Sequence, residues 1–169
     1  VFQLISSRSH TKDRMTIQEL GRVTDPTFKI KRVEAACFRY PLTTPVVTSF
    51  GRMLDRPAVF VRVEGDDGLV GWGEALCVGM QPPDIVAAAI RSVFAPMLIG
   101  CDPREPEVLW HRMYNRTRDY GRKGAVISGL SGIDIALWDI KARRYGVPLD
   151  TPPMLFAVQA TRGPLPAYR

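Results

Sequence analysis

The strongest constraint on this chain is a change in the period of its apolar residues. In AVFVRVEGDDGLVGWGEA, Ala58 to Ala75, the side chains alternate. Val59, Val61 and Val63 share one strand face, and Phe60, Arg62 and Glu64 the other. Gly65-Asp66-Asp67-Gly68 is a turn signal, and LVGWGEA returns as the next strand. Beyond Pro83 the spacing lengthens to three and four. Val86, Ile90, Val93 and Phe94 form one helical stripe, and Leu109, Trp110, Met113 and Tyr114 a second. Val126, Leu130, Ile133, Leu137 and Ile140 form a third. Strands first and helices afterwards exclude an alternating βαβ chain and define an α+β fold: a three-stranded antiparallel meander followed by about three helices.

The remaining elements follow from the same rules. FKIKRVEAACFRY supplies the first strand, with Ile30, Val33, Cys37 and Phe38 available to a half-buried face. Pro41 to Pro57 is too proline-rich for a central strand and reads as a loop. The first helix is expected from Asp84 to Ala95, with Pro96 discouraging helix at Ala95, and Gly100-Cys101-Asp102-Pro103 is a break. Pro106 suits the first turn of the next helix. Gly146 is placed as a left-handed cap, and Pro148 stops the last helix. Gly129 and Gly132 each cost about 1 kcal/mol relative to alanine inside that helix, which is understandable if another backbone must come close. Asp134, beside Ile133, should be partly buried and tie neighbouring loops or helix ends together. Asp139 should face water or pair with Arg143 four residues on.

A length of 169 residues, 46% hydrophobic and 24% charged, fits one soluble domain. No apolar run approaches the roughly 18–20 residues of a membrane span, and no secretory signal is visible. Residues 1–27 read as a weakly ordered lead-in, within which Met15 is a candidate start. Cys37, Cys77 and Cys101 fall outside any CxxC pattern, so neither a disulfide framework nor a zinc site is expected, and the setting is cytoplasmic. The net charge of +6 is carried by scattered arginines and lysines with acidic residues between them, a solvated face without a nucleic-acid module. His10 and His111 are isolated, and a ligand role is not expected for either.

Several stretches carry a family likeness. SGIDIALWDIKARRYGVPL resembles the helix that closes the N-terminal capping domain of mandelate racemase/muconate lactonizing enzymes, in the enolase superfamily. DDGLVGWGEA resembles the second hairpin of that domain, and PMLIGCDPREPEVLWHRMY its inter-helix connection and next helix. YNRTRDYGRKGAVISGLSGIDIALWDIK is similar to the acid-sugar branch, which includes sugar-acid dehydratases and galactarolactone cycloisomerases. The likeness covers about residues 28–149. It leaves 150–169 as an atypical tail where the family's (β/α)8-type barrel would begin, and that barrel is absent.

The resemblance implies a cap over a barrel in which a Lys or His base abstracts a proton beside a carboxylate while Mg²⁺ stabilises the ene-diolate. It assigns no catalytic residue, metal ligand or cofactor to these 169 residues; magnesium belongs to the full-length family. Two pocket-facing loops are implied, PVVTSFGRML (Pro45 to Leu54) and LCVGMQPP (Leu76 to Pro83). Thr48, Ser49 and Arg52 would contact a polyhydroxy carboxylate, with Met80 and Val78 packing as a lid. Glu74 would contact the barrel. The expected partner is a small acid sugar, reached through the barrel, with neither nucleic acid nor membrane involved; members of the family are often homo-oligomers. The expected function is a substrate-capping domain of a dehydratase, racemase or cycloisomerase, truncated and inactive alone. The alternative is a non-catalytic binding or assembly module built on the cap fold.

Overall fold

The computed structural model describes residues 27–49, 51–77 and 81–150. The expected lead-in before residue 27, Phe50, the stretch 78–80 and the tail from residue 151 lie outside the described residues. Three strands, β1 (Ile30–Thr48), β2 (Gly51–Gly65) and β3 (Val70–Leu76), form an antiparallel sheet in the order β1-β2-β3. Helix α1 (Pro83–Ala89) runs through a π-helical stretch (Ile90–Phe94) into α2 (Ala95–Leu98). Helices α3 (Pro106–Thr117) and α4 (Ala125–Tyr145) follow. This is the α+β meander with helices that the apolar periods predict.

One sheet face is the core. Val59, Val61, Val63 and Ala75 are fully buried against Val86, Ile90, Phe94, Ile133, Leu137 and Ile140. On β1 a register shift between Ile30 and Arg32 changes the parity of the alternation, so Ile30, Val33, Ala35 and Cys37 face inward. Phe38 therefore lies on the outer face, 54% exposed, with its ring edge-on to Phe60 at 5.2 Å. That corrects its expected place in the half-buried set.

Two further expectations are corrected. The segment Pro41–Pro57 is a paired arm and not a loop: β1 and β2 continue together beyond the end of β3 to a turn at the arm's tip. The prolines are tolerated because β1 is an edge strand, Pro41 borders a second register shift, and Pro57 lies just past the residues that pair with β3. Pro96 likewise does not end its helix. Upstream, the Ala95 N–H bonds the Ile90 carbonyl, five residues back, and the wider π-helical turn accommodates the proline, which lacks an N–H. Ile30 exchanges backbone hydrogen bonds with Gly100 and Cys101, which caps the start of the exposed β1 edge.

Sheet and long helix meet backbone to backbone. A methyl group at Gly132 would lie 2.7 Å from the Ala75 Cβ and 2.9 Å from its amide nitrogen. At Gly129 it would meet Ile90 Cγ1 at 3.1 Å. The helix glycines are thus a packing surface, as their spacing predicts. The strand contributes glycines as well: a methyl group at Gly73 would collide with the Gly132 carbonyl, and one at Gly71 with the Ala136 carbonyl. Gly146 closes α4 in the left-handed conformation, φ 64°, where its N–H and that of Val147 bond the Arg143 and Ala142 carbonyls. Because the obstacle at Gly73 is backbone and not a movable side chain, Gly73→Ala should destabilise the domain by about 1–3 kcal/mol or more. A urea midpoint indistinguishable from the parent's would refute the close-contact reading.

Candidate functional site

The arm presents two faces. Directly opposed residues of an antiparallel pair share a side, and the pairs at its end are Thr48 with Gly51, Val47 with Arg52 and Val46 with Met53. Thr48 therefore lies on the side of Met53, while Arg52 lies on the side of Val47 and Leu54. The Thr48 hydroxyl donates to the Gly51 carbonyl at 3.1 Å, closing the turn. Ser49 sits in that turn and is exposed. The structure thus places the three predicted ligand contacts within a few residues of the tip but sends Thr48 and Arg52 to opposite faces. Nearer the sheet, Arg39 Nη1 bridges both Asp55 carboxylate oxygens, at 3.1 and 3.2 Å, and holds the two strands together. In the second expected loop, Met80 and Val78 lie outside the described residues, Leu76 is exposed and Cys77 is buried. Glu74 stands on the outer face opposite Phe60. His111 is exposed and edge-on to Trp110; His10 lies outside the described residues.

The tying role expected of Asp134 falls to Asp139, which also makes its expected pair with Arg143. Asp139 is the one that ties elements together: its Oδ2 accepts from the Trp72 backbone N–H and from Arg143 Nε, both at 2.8 Å. β3 is an edge strand, so Asp139 satisfies a backbone donor that would otherwise lack a strand partner. The pairing with Arg143 is the one that the i,i+4 spacing predicts. Asp134 ties nothing: among the described residues no donor reaches it. Burial, and then the nearby Glu107 charge, push its carboxyl above the usual range.

Asp134 faces a groove of about 240 Å³ between α3 and α4, lined also by Glu107, Trp110, His111 and Trp138. Trp110 stacks on Tyr114, with centroids 5.0 Å apart, which fixes one wall. Lys141 Nζ lies 4.7 Å from the Trp138 ring centroid and 3.9 Å from Glu107 Oε2. Sequence reasoning did not single out this groove. Its signal was there in the spacing: Glu107, Trp110 and His111 share one helix face, and Asp134 and Trp138 share another.

Among the described residues, no three His, Cys, Asp or Glu side chains are grouped closely enough to hold a metal ion. Many carboxylates are engaged separately: Asp55 with Arg39, Asp67 with Arg144, Asp102 with Arg104, Asp139 with Arg143, and Glu34 and Glu64 with Arg62. The described residues do not fit a magnesium centre. No helix among them is long and apolar enough to cross a membrane.

A three-stranded meander backed by helices, with a two-stranded arm, defines an α+β domain of the enolase type. The family model described as the N-terminal domain of mandelate racemase / muconate lactonizing enzyme matches residues 31–151, and the chain belongs to that family. D-galactarolactone cycloisomerase of Agrobacterium fabrum is 44% identical over 118 residues, 70% of this chain and 30% of that protein. Arabinonate dehydratase of Saccharolobus solfataricus is 40% identical over 91 residues, 54% of this chain and 24% of that protein. Among solved structures, a racemase from Streptomyces coelicolor A3(2) with bound magnesium superposes with a TM-score of 0.64 at 34% identity, covering 68% of this chain and 32% of that one. The chain thus spans less than a third of the length of these relatives.

The half-buried Asp134 carries a testable pH signature. A carboxyl whose folded pKa is raised favours the folded state only while protonated, and that advantage is lost as pH rises from its unfolded value, about 3.9, through the folded one. At neutral pH the charge is a net cost. Asp134→Asn should therefore raise the thermal midpoint at pH 7 and lose that advantage below about pH 4. A midpoint lowered at pH 7 would show that the carboxylate has a stabilising partner.

Proposed function

We propose that this chain is the substrate-capping domain of an enolase-superfamily enzyme acting on an acid sugar. In this reading the reaction abstracts a proton next to a carboxylate and depends on magnesium. The observation that carries the reading is the paired arm, which runs past β3 and carries Thr48, Ser49 and Arg52 near its tip. The names of the relatives supply the substrate class: a lactone cycloisomerase and a sugar-acid dehydratase. An arm with hydroxyls and a guanidinium at its tip suits a polyhydroxy carboxylate, because hydroxyls exchange hydrogen bonds with sugar hydroxyls and Arg forks onto the carboxylate. Since Thr48 and Arg52 occupy opposite faces, the substrate would meet the arm edge-on at its tip, with Arg52 and Ser49 the principal contacts. Met80, in the second loop, packs as a lid in this reading. The folded unit spans residues 28–149, and the base and metal ligands come from a barrel outside these 169 residues.

On this reading the 169 residues alone hold no catalytic centre. Purified and titrated with Mg²⁺ by calorimetry, the chain should show no tight site, and a panel of sugar acids and lactones should not be turned over. Tight magnesium binding with reproducible turnover would overturn the proposal. A gain-of-context experiment tests the arm directly. Residues 31–151 are grafted in place of the matching segment of the Agrobacterium cycloisomerase, and Arg52→Ala is then introduced. Loss of one charge-assisted hydrogen bond of about 1.5–3 kcal/mol should lower kcat/KM by roughly 10- to 150-fold. Unchanged kinetics in an active chimera would return Arg52 to the ordinary surface.

A further inference from the structure

We propose that the outer face of the sheet binds a second copy of this chain, face to face about a two-fold axis, with Arg56 of each copy reaching Glu74 of the other. The inference rests on the sheet alone and not on the capping reading. Phe38, Tyr40, Phe60, Trp72, Leu54 and Leu76 stand on this face; Phe60 is 40% exposed and the other five between 48% and 71%. The rings of Phe38 and Phe60 meet edge-on at 5.2 Å, so the apolar surface is continuous between β1 and β2. The four aromatic side chains alone leave roughly 400 Å² in water, since each covers about 150–250 Å² when fully buried. A contiguous patch beyond a few hundred Å² marks an interaction site on a soluble protein. The leucines and the arm beside them carry it toward the ~800 Å² that each partner gives to a standard interface.

Strand pairing selects the occupant. Phe38, Ala58 and Leu76 form one row across the three strands. The next outward-facing row toward the arm holds Tyr40 and Arg56, and the next row away from it holds Ala36, Phe60 and Glu74. A two-fold axis laid along the middle row exchanges the other two between copies. It therefore sets a row with an arginine against a row with a glutamate, and turns Tyr40 toward Phe60. Among the described residues neither Arg56 nor Glu74 makes an ion pair within its own chain. One row further out, the same axis sets Leu54 against Trp72 and Arg62, and Arg62 is already neutralised by Glu34 and Glu64 at 2.8 and 2.7 Å. The face thus complements itself in charge as well as in apolar surface. The sheet edges are blunted instead: Ile30 bonds Gly100 and Cys101, Arg91 donates to the Ala35 carbonyl, and Asp139 accepts from the Trp72 N–H. Association through the face, and not by strand addition, is what this arrangement favours.

The test is the oligomeric state of the 169-residue chain, read by sedimentation and light scattering over a range of concentrations. A species of twice the 18.9 kDa chain mass, with nothing larger, is the expected result. Tyr40→Glu changes a well-exposed position, so it should weaken dimerisation at least tenfold while the circular dichroism of the folded chain stays the same. Arg56→Glu and Glu74→Arg should each weaken it at least tenfold by opposing like charges, and the two together should recover to within about threefold of the parent. That recovery reads the contact between copies directly, because a merely structural loss in either variant would persist in the double one. A chain that stays monomeric at every concentration, or that assembles beyond two copies, overturns the proposal. So does dimerisation that Tyr40→Glu leaves untouched, or a double variant that binds no tighter than the single ones.

Discussion

The backbone contact between β3 and α4 is the interaction on which the rest of the domain depends. Gly71 and Gly73 on the strand come up against the Ala136 and Gly132 carbonyls of the helix, and Gly132 in turn against Ala75. That proximity buries Ile133, Leu137 and Ile140 in the sheet-facing core. It also brings Asp139 within 2.8 Å of the Trp72 amide, so a single carboxylate seals the outer edge of the sheet. Dense packing makes such a contact intolerant of added volume, and the three glycines accept the conformational entropy cost in exchange.

The parts legible in the sequence were those set by periodicity. Alternation at Val59, Val61 and Val63, helical spacing from Leu130 to Ile140, and the glycine cap at Gly146 each depend on a few neighbours in the chain. What escaped depended on register. Phe38 reads as an inward residue until the shift near Arg32 reverses the parity, and no local signal encodes that shift. The arm reads as a loop because proline content argues against a central strand, whereas here the prolines sit on an edge, beside a shift and past the last pairing with β3. Of the proposed ligand contacts, the sequence places Thr48, Ser49 and Arg52 in one short stretch. It does not show that strand pairing separates the first and last of them.

The two aspartates of α4 show how little composition alone decides. Both lie on the same helix, five residues apart, and both are partly buried. A rotation of five helical positions carries Asp139 to a strand edge with an unclaimed N–H, and Asp134 to a space bounded by indoles. One carboxylate completes the fold; the other is left with a charge that the fold does not use.

The arm has a consequence for how such domains diverge. Between Pro41 and Val46, β1 advances five residues while β2 advances two, from Asp55 to Met53, so the two strands differ by an odd number. Insertion or deletion of one residue within that stretch would restore even parity without touching the core. The tip pairs and the Thr48–Gly51 turn would still set which residues oppose each other, so the shift alone would absorb the change. A lineage can thus lengthen or shorten the arm in a single genetic step while the tip contacts, the sheet, the glycine contact and the helices remain as they are.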